Sequence, residues 1–531
     1  MQESAVEPPF HAFEGGGFYL ALDRFIPAYL EIDRLADEAL CMFERGIPEH
    51  IVQQKLVRDW GAARVTNMFA SLKALQRKGF FARRGSPPVM GGARTIERLV
   101  HSRTGRIQLA LAESCNLRCK YCYVHPESKW RHQNERIMPW EVAREAIDLL
   151  LQRAGTIDDL SITLFGGEPL LNKEALHQVI AYTEARKKEL CKDKKTFYSL
   201  TTNGILMSHD VIREIKRHNF GLMISMDGPA TVHDAVRVFL NHRGSWRATA
   251  RGAMELMKFR RQVSVRCTIT KQCLEKARIV QYLEDFGFHH IRASLAVGQA
   301  YEKGPLDVGP DEFQILNKED KVLEARYIES ILSGDWANHR FARFRQALMD
   351  VREPKRQAMR CGVGRGTTVV DTKGDLYPCH RYLGMTAYRL GNVNTGIVPE
   401  LFVTYLEKLF ALRRRLCINC WANTLCLGPC PYYVSHSSGD MVDPEPWYCD
   451  RIRKSIEDNA AFHSRVRHDY PDYYQYVLQT HISHGQPRAR LRLRLGSDRG
   501  LSDQVDSEPP DTEEPIASAD STGSDLSVHE D

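Results

Sequence analysis

Between Ile107 and about Ala296, two patterns of apolar and polar residues alternate along the chain. Short apolar runs alternate with longer stretches in which apolar residues recur every three or four positions, as on one face of a helix. The runs predict strands at Ile107–Ala112, Leu160–Phe165, Phe197–Thr202, Phe220–Met226, Val263–Ile269 and His290–Ala296. The stretches predict helices at Trp140–Ala154, Lys173–Lys188, Asp210–His218, Trp246–Phe259 and Leu274–Phe286. Six units in this order predict an α/β fold, a partial (β/α)6 barrel with two units fewer than a full TIM barrel.

Different patterns flank this region. Residues 10–95 predict a small α+β unit, with strands within Gly17–Ile32, helices at Leu35–Arg45 and Val65–Gly79, and a linker at Gly85–Gly92. Residues 312–350 predict one or two helices, residues 361–449 are rich in cysteine with little periodicity, and Ile452–Val477 is again helical in pattern. We therefore predict domains at residues 1–95, 96–310 and 311–484.

The residues after about His484 have a different composition. A short basic run, Arg488–Arg494, precedes an acidic segment rich in serine and proline, without lysine or arginine after Arg499. Such a composition cannot bury enough apolar surface to fold, so residues 485–531 are predicted to be a disordered tail.

Composition narrows the class of protein. The chain has 531 residues, so its length indicates several domains, and its hydrophobic content of 43% is ordinary for a globular protein. The net charge of +6 is small for this size and gives no reason to expect nucleic acid as a partner. Met1–Pro9 lacks the features of a signal peptide, and no run of about 18 apolar residues predicts a membrane span. We expect a cytoplasmic protein that does not bind a membrane.

The 14 cysteines add chemistry to this picture. Ten of them fall into two spaced groups, within residues 115–122 and 361–449, and clustered cysteines in a reducing compartment more often bind metal or act in catalysis than form disulfides. The other four, Cys41, Cys191, Cys267 and Cys273, are predicted to be small apolar side chains.

The first group is Cys115-x3-Cys119-x2-Cys122, directly after the first predicted strand. Three thiolates can hold three irons of a [4Fe-4S] cluster and leave the fourth open to a small ligand. A zinc site with His125 as a fourth ligand is the alternative. The motif and its place after the strand resemble the radical S-adenosylmethionine (SAM) enzymes, and ligands of such sheets bind at the C-terminal strand ends.

The turns after the next strands extend this resemblance. Leu164-Phe-Gly-Gly-Glu-Pro169 resembles the family motif that binds the amino group of SAM; its glycines permit close backbone approach, and its carboxylate suits an ammonium group. Thr201-Thr-Asn-Gly204 and Ile224-Ser-Met-Asp-Gly-Pro229 resemble segments that line the SAM pocket, and Tyr121 matches an aromatic position beside the adenine. The resemblance implies that SAM contacts Gly166, Gly167, Glu168, Pro169, Asn203, Ser225 and Tyr121. His233-Asp-Ala-Val-Arg237 also fits the pattern, without an assigned role.

The resemblance implies a reaction as well. A reduced cluster would cleave SAM to methionine and a 5′-deoxyadenosyl radical, which would remove a hydrogen atom from an unactivated substrate carbon. The cofactor carries the difficult chemistry, and the protein positions it and excludes water. An electron donor such as flavodoxin or ferredoxin is the expected partner.

The second group comprises Cys361, Cys379, Cys417, Cys420, Cys426, Cys430 and Cys449. Its spacing resembles the SPASM domain of radical SAM peptide-modifying enzymes; a zinc ribbon, suggested by Cys417-x2-Cys420 alone, is the alternative. The resemblance implies two auxiliary [4Fe-4S] clusters, one on Cys361, Cys379 and Cys430, the other on Cys417, Cys420, Cys426 and Cys449. Seven thiolates cannot fill eight ligand positions, and no cysteine lies between Cys273 and Cys361. We expect an open iron on the first of these clusters, which a substrate thiolate would occupy.

The product is less defined by the sequence. Tyr377-Pro-Cys-His380 resembles peptide maturases that form thioether crosslinks, including the quinohemoprotein amine dehydrogenase type, whereas sulfatase-maturing enzymes typically have an aspartate base at the position of His380. We predict sulfur-to-carbon crosslinks in a ribosomally made peptide or small protein subunit, and assign no catalytic base. Formylglycine formation and carbon–carbon crosslinking are alternative reactions, and an iron–sulfur electron-transfer or scaffold protein is the alternative from another class.

The N-terminal unit weakly resembles the winged-helix-like module that binds precursor peptides in such maturases. A module of this kind adds the peptide as a strand at the edge of its sheet. The alternative is a generic cap on the barrel.

Overall fold

The computed structural model describes residues 8–82, 92–123, 137–190, 194–260, 262–299, 303–334, 336, 342–352, 361–363, 367–436 and 438–482. His125, Cys191, most of the predicted linker and the predicted tail lie outside the described residues.

The N-terminal unit consists of a three-stranded antiparallel sheet followed by three helices. The strands are β1 (Phe10–Gly15), β2 (Phe18–Asp23) and β3 (Tyr29–Ile32), in the order β1-β2-β3, and the helices are α1 (Arg34–Glu44), α2 (Glu49–Trp60) and α3 (Ala62–Arg77). Asp33 caps α1 by accepting a hydrogen bond from Ala36 N at 2.8 Å, which satisfies one of the free amides of the first turn. Leu35, Val52 and Phe69 share one apolar core. The predicted α+β unit is confirmed, although β1 and α2 were not predicted.

Six parallel strands form one side of a second, ten-stranded sheet, each hydrogen-bonded to the next in chain order and the last of them at the sheet edge. They are β4 (Arg106–Ala112), β5 (Asp159–Gly166), β6 (Lys195–Thr202), β7 (Gly221–Ser225), β8 (Ser264–Ile269) and β9 (His290–Leu295). Helix α4 (Ala93–Val100) precedes them, and the connections contain α5 (Trp140–Ala154), α6 (Lys173–Leu190), α7 (His209–Arg217), α8 (Ala230–Val236), α9 (Trp246–Phe259) and α10 (Lys276–Phe286). The continuous burial of Leu109 to Ala112 is typical of a parallel strand covered on both faces. The predicted partial (β/α)6 barrel is confirmed.

The cysteine-rich region continues this sheet. After α11 (Pro310–Leu332) and α12 (Ala342–Arg352), β10 (Thr367–Val370) pairs in parallel with β4, and β11 (Asp375–Tyr377), β12 (Gly391–Asn392) and β13 (Gly396–Ile397) follow as antiparallel strands. The chain then forms α13 (Pro399–Cys417), α14 (Asn423–Cys426), α15 (Pro446–Asp469) and α16 (Pro471–Ile482). The low periodicity expected for residues 361–449 holds for these strands of two to four residues but not for α13, whose buried Phe402, Leu406 and Leu409 follow helical spacing.

Helix α15 packs on the N-terminal sheet. It contacts β1 and β2, and on β3 Tyr29 Oη lies 2.5 Å from His463 Nδ1 and Glu31 pairs with Arg467 at 2.8 Å. The described residues up to Val477 form one compact unit, and the domain boundaries within it stay a prediction. No helix in the described part of the chain is long and apolar enough to cross a membrane.

Candidate active site

The loop that carries Cys115, Cys119 and Cys122 leaves the C-terminal end of β4. It is held by the segment after α8: Arg118 N donates to Val238 O at 2.7 Å, and Lys120 N donates to Val236 O at 2.9 Å. The three thiols are close enough for their charges to interact, and burial raises the pKa of Cys119 to about 12. Because metal ligation requires thiolates, a bound metal would supply the positive charge that stabilises this one.

Two glycines bring the end of β5 against this loop. A Cβ atom on Gly166, whose φ is +144°, would lie 2.1 Å from the carbonyl oxygen of Ala112, and one on Gly167 would lie 2.3 Å from that of Ser114. Gly167 N instead donates to Ala112 O at 2.8 Å, and Glu168 N donates to Ser114 O at 2.9 Å. The motif that resembles a SAM-binding turn therefore packs directly on the cysteine loop.

The Glu168 side chain is fully buried beneath this contact. Its carboxylate accepts hydrogen bonds from Leu170 N at 3.0 Å, from Thr202 Oγ1 at 2.6 Å and from Asn203 N at 2.8 Å. Burial raises the pKa of Glu168, against the lowering effect of these donors. Glu168 thus ties the end of β5 to the end of β6, and Pro169, also buried, begins a short 3-10 helix.

The remaining residues of the predicted SAM pocket are Asn203 after β6, Tyr121 within the cysteine loop, and Ser225 at the end of β7. Asn203 Nδ2 donates to Asn116 Oδ1 at 2.7 Å, next to Cys115. Tyr121 Oη donates to Asp227 Oδ2 at 2.7 Å, and burial raises the pKa of Tyr121 well above its usual value. Ser225 is the last residue of β7 and half-buried, and no described residue hydrogen-bonds to its hydroxyl. The ends of β4, β5, β6 and β7 therefore converge as expected for a parallel sheet.

The seven later cysteines form two sets in space. The Cys379 thiol interacts with the charges of Cys361 and Cys430, and the Cys417 thiol with those of Cys420, Cys426 and Cys449. These sets have the same members as the ligand sets expected from the resemblance.

A zinc ion, the alternative to a cluster, needs ligands that converge on a single point. Sulfur atoms around one tetrahedral zinc, each about 2.3 Å from it, would lie within about 4 Å of each other. No three cysteine, histidine or carboxylate side chains among the described residues are close enough to hold one ion.

An aromatic and cationic wall lies between the first cysteine loop and Cys379. The His380 ring is 5.8 Å from that of Tyr123 and 5.6 Å from that of Phe165. The Arg381 guanidinium lies 5.4 Å from the ring of Tyr123 and 5.2 Å from that of Tyr432. Burial, together with the nearby positive charges of Arg381 and Arg266, lowers the pKa of His380 to about 3, so the imidazole is neutral at pH 7.

Two buried carboxylates, Glu113 and Asp227, have no role assigned from the sequence, although Asp227 lies in the segment Ile224–Pro229 expected to line the SAM pocket. Glu113 follows β4 and accepts hydrogen bonds from Thr372 Oγ1 at 2.6 Å and Thr372 N at 3.1 Å, which joins the cysteine loop to the turn after β10. Asp227 is fully buried, beside Tyr121. Both are acidic residues at the end of an apolar strand, a signal that could have identified them.

An α/β barrel with an open-sided cysteine triad at its strand ends defines a class of iron–sulfur, SAM-using enzymes. Residues 110–271 match the radical SAM superfamily. The chain carries a radical SAM domain and is an enzyme, with SAM and [4Fe-4S] clusters as its cofactors.

Individual relatives extend the likeness beyond this domain. A cysteine-type anaerobic sulfatase-maturating enzyme of Clostridium perfringens is 26% identical over 380 residues, covering 69% of this chain and 94% of the relative. The radical SAM cyclopropyl synthase TigE of Paramaledivibacter caminithermalis is 24% identical over 370 residues, covering 66% and 74%. The solved structure of anSMEcpe with bound AdoMet aligns with a TM-score of 0.58 at 24% identity, over 71% of this chain and 99% of that one. This structural likeness shows a shared fold.

Proposed function

We propose that this protein is a radical SAM maturase that modifies a peptide or small protein subunit. The observation that carries the proposal is the arrangement of ten cysteines as a triad at the barrel's strand ends, a second triad and a set of four. The relatives named as sulfatase-maturating enzymes support a peptide or protein as the substrate.

The residues suit three clusters and SAM in defined places. Cys115, Cys119 and Cys122 would hold the cluster that binds SAM, with Gly166, Asn203, Ser225 and Tyr121 around the ligand. When bound, these cofactors supply a 5′-deoxyadenosyl radical that removes a hydrogen atom from the substrate. Cys361, Cys379 and Cys430 would hold the first auxiliary cluster, with one ligand position free for a substrate thiol. The set of Cys417, Cys420, Cys426 and Cys449 would be complete.

The free position supports thioether formation as the reaction. The wall of Tyr123, His380 and Arg381 lies between the two incomplete cysteine sets, so the reacting carbon and sulfur would meet there. Overall, one C–H and one S–H bond of the substrate break, a C–S bond forms, and SAM is converted to methionine and 5′-deoxyadenosine with release of a proton. SAM is thus the two-electron oxidant. The buried, neutral His380 can accept or donate a hydrogen bond beside this space.

Formylglycine formation is the second candidate. The relatives favour it over thioether formation, because a cysteine-type sulfatase-maturating enzyme matches this chain over 94% of its own length. In this reaction one C–H and one S–H bond of a substrate cysteine break, one hydrogen atom ends in 5′-deoxyadenosine and the other is released as a proton, with SAM again the two-electron oxidant. Water then converts the resulting thioaldehyde to an aldehyde with release of hydrogen sulfide. The residue that argues against formylglycine formation is His380, because sulfatase-maturing enzymes typically have an aspartate base at this position.

Mass spectrometry separates the two reactions. The reconstituted enzyme is incubated with SAM, dithionite and either a cysteine-rich polypeptide encoded beside its gene or a synthetic sulfatase peptide. We expect loss of two hydrogen atoms from the polypeptide, one cysteine protected from iodoacetamide, and one 5′-deoxyadenosine per crosslink. Conversion of the cysteine in the sulfatase peptide to an aldehyde, with loss of its sulfur, would instead establish the second candidate. Cys115→Ala is the control and should yield no deoxyadenosine; retained production would overturn both.

The N-terminal unit, residues 1–95, is proposed to bind the precursor peptide. Among the described residues strand β3 pairs with β2 on one side and with no strand on the other, so this edge has the backbone groups that an added strand needs.

A further inference from the structure

The segment His233–Arg237, which fits the family pattern without an assigned role, is built against the cysteine loop. Leu117 and Phe239 form an antiparallel bridge, and the amides of Arg118 and Lys120 donate to the carbonyls on either side of Arg237. The backbone of Arg237 is therefore fixed beside the thiols of the first triad.

The Arg237 side chain makes three contacts in a buried place, with 8% of its surface exposed. Its Nε donates to Asp227 Oδ2 at 2.9 Å, and its Nη1 donates to Cys119 Sγ at 3.8 Å. Its guanidinium also lies 5.5 Å from the centre of the Tyr121 ring. One cation thus faces a carboxylate, a cluster-ligand sulfur and the aromatic ring expected beside the adenine.

The partners of Arg237 are themselves fixed. Asp227 accepts further hydrogen bonds from Tyr121 Oη at 2.7 Å and from Thr268 N at 2.9 Å. His233 Nε2 lies 3.0 Å from Ser245 Oγ, which donates to Arg237 O at 2.8 Å. Because both the side chain and the backbone are anchored, the guanidinium cannot turn away from Cys119.

We propose that Arg237 raises the reduction potential of the cluster held by Cys115, Cys119 and Cys122, and that Asp227 limits the rise. Hydrogen bonds to ligand sulfurs and nearby charge set the potential of an iron–sulfur cluster. Reduction adds one negative charge, which a fixed N–H donor and cation stabilise more than they stabilise the oxidised cluster. The carboxylate of Asp227 partly cancels that charge, and burial weakens the screening of both.

The two residues should shift the potential in opposite directions. The enzyme with all clusters is titrated under EPR, following the signal that changes when SAM is added. Arg237→Gln should lower the equilibrium constant for reduction about tenfold, equivalent to 59 mV for one electron, and Asp227→Asn should raise it. Arg237→Lys keeps the charge but cannot reach both Asp227 and Cys119, so its shift should be intermediate.

Arg118→Gln is the matched control. It removes the same charge from within the cysteine loop itself, but Arg118 Nη1 donates to the carbonyl oxygens of Cys115 and Leu117 and not to a sulfur. Its shift should be less than half that of Arg237→Gln; an equal shift would overturn the proposal. Iron content and the unfolding midpoint establish that each variant is assembled. If Arg237→Gln does not assemble its clusters, the test rests on Asp227→Asn. A reduction potential of the first cluster in that variant that is unchanged or lower than in wild type would contradict the role assigned to this pair.

Discussion

At the scale of single residues, contact geometry refines the roles of the predicted turn. Positions 166 and 167 must be glycine because the carbonyl groups of Ala112 and Ser114 occupy the space that a Cβ atom would need. Glu168 is used to tie two strand ends together. The cysteine spacing and the glycine pair could be recognised in the sequence. The roles of Asp227 and Arg237 could not, because they depend on the contact of Arg237 with Cys119, which is 118 residues away in the chain.

Gly166→Ala tests this close packing. The added Cβ would collide with Ala112 O, and φ at this position suits glycine, so the variant should lose at least about 1–3 kcal/mol of stability. It should also bind less iron at the first triad, as measured by iron content and EPR. Gly92→Ala, whose Cβ would meet nothing within 4 Å at a φ of −81°, should match wild type in both. Equal iron binding by the two variants would contradict the role of the contact.

At the scale of elements, the length of a strand determines whether the sequence predicts it, and its pairing determines which regions it joins. The six barrel strands were predictable because each is an apolar run long enough to show a pattern. Strands β10 to β13 have two to four residues, too few for a pattern, and β10 pairs with β4 although about 260 residues separate them. This pairing, with the Glu113–Thr372 hydrogen bonds, joins the two cysteine regions.

Amide hydrogen exchange can test whether the precursor peptide adds as a strand at the edge of β3. Amide hydrogen exchange across Tyr29–Ile32 should slow when the encoded polypeptide is added, because a new strand would accept hydrogen bonds from amides on that edge. Strand β2, already paired on both sides, should change little and serves as the internal control. Slowing at both strands alike would indicate general stabilisation, and no slowing at β3 would refute strand addition.

At the scale of the whole molecule, the N-terminal unit contacts the C-terminal cysteine region. His11 on β1 stacks on Trp421 with ring centres 4.1 Å apart, and lies 3.2 Å from Glu44 on α1 and 2.9 Å from Glu457 on α15. Trp421 lies between Cys420 and Cys426, so the proposed peptide-binding unit contacts the loop that carries the set of four cysteines.

His11 makes this contact dependent on pH. Burial alone would lower its pKa, but hydrogen bonds and charge from Glu44 and Glu457 outweigh burial and raise the pKa from 6.5 to about 9. Protonated His11 therefore stabilises the fold fully below about pH 6.5, and this contribution is lost as the pH rises towards 9, with an upper limit of about 3 kcal/mol.

His11→Gln measures this contribution. Urea unfolding followed by circular dichroism should show a variant that is less stable than wild type at pH 6, with the difference shrinking by pH 9. His50→Gln, at an exposed histidine on α2, should show no such trend. A difference for His11→Gln that stays constant with pH would exclude an ionised His11 as its source.

The sequence alone determined the barrel strands, the cysteine groups and the glycine-rich turn after β5, because these depend on local apolar runs and on short spacings along the chain. Tertiary structure decided which carboxylate faces which cation, and that β10 extends the barrel sheet. These features depend on contacts between residues far apart in sequence, and loop closure over such distances leaves no local pattern. The Arg237–Cys119 contact belongs to this second kind: both residues stand in recognisable motifs, and only the fold places one against the other.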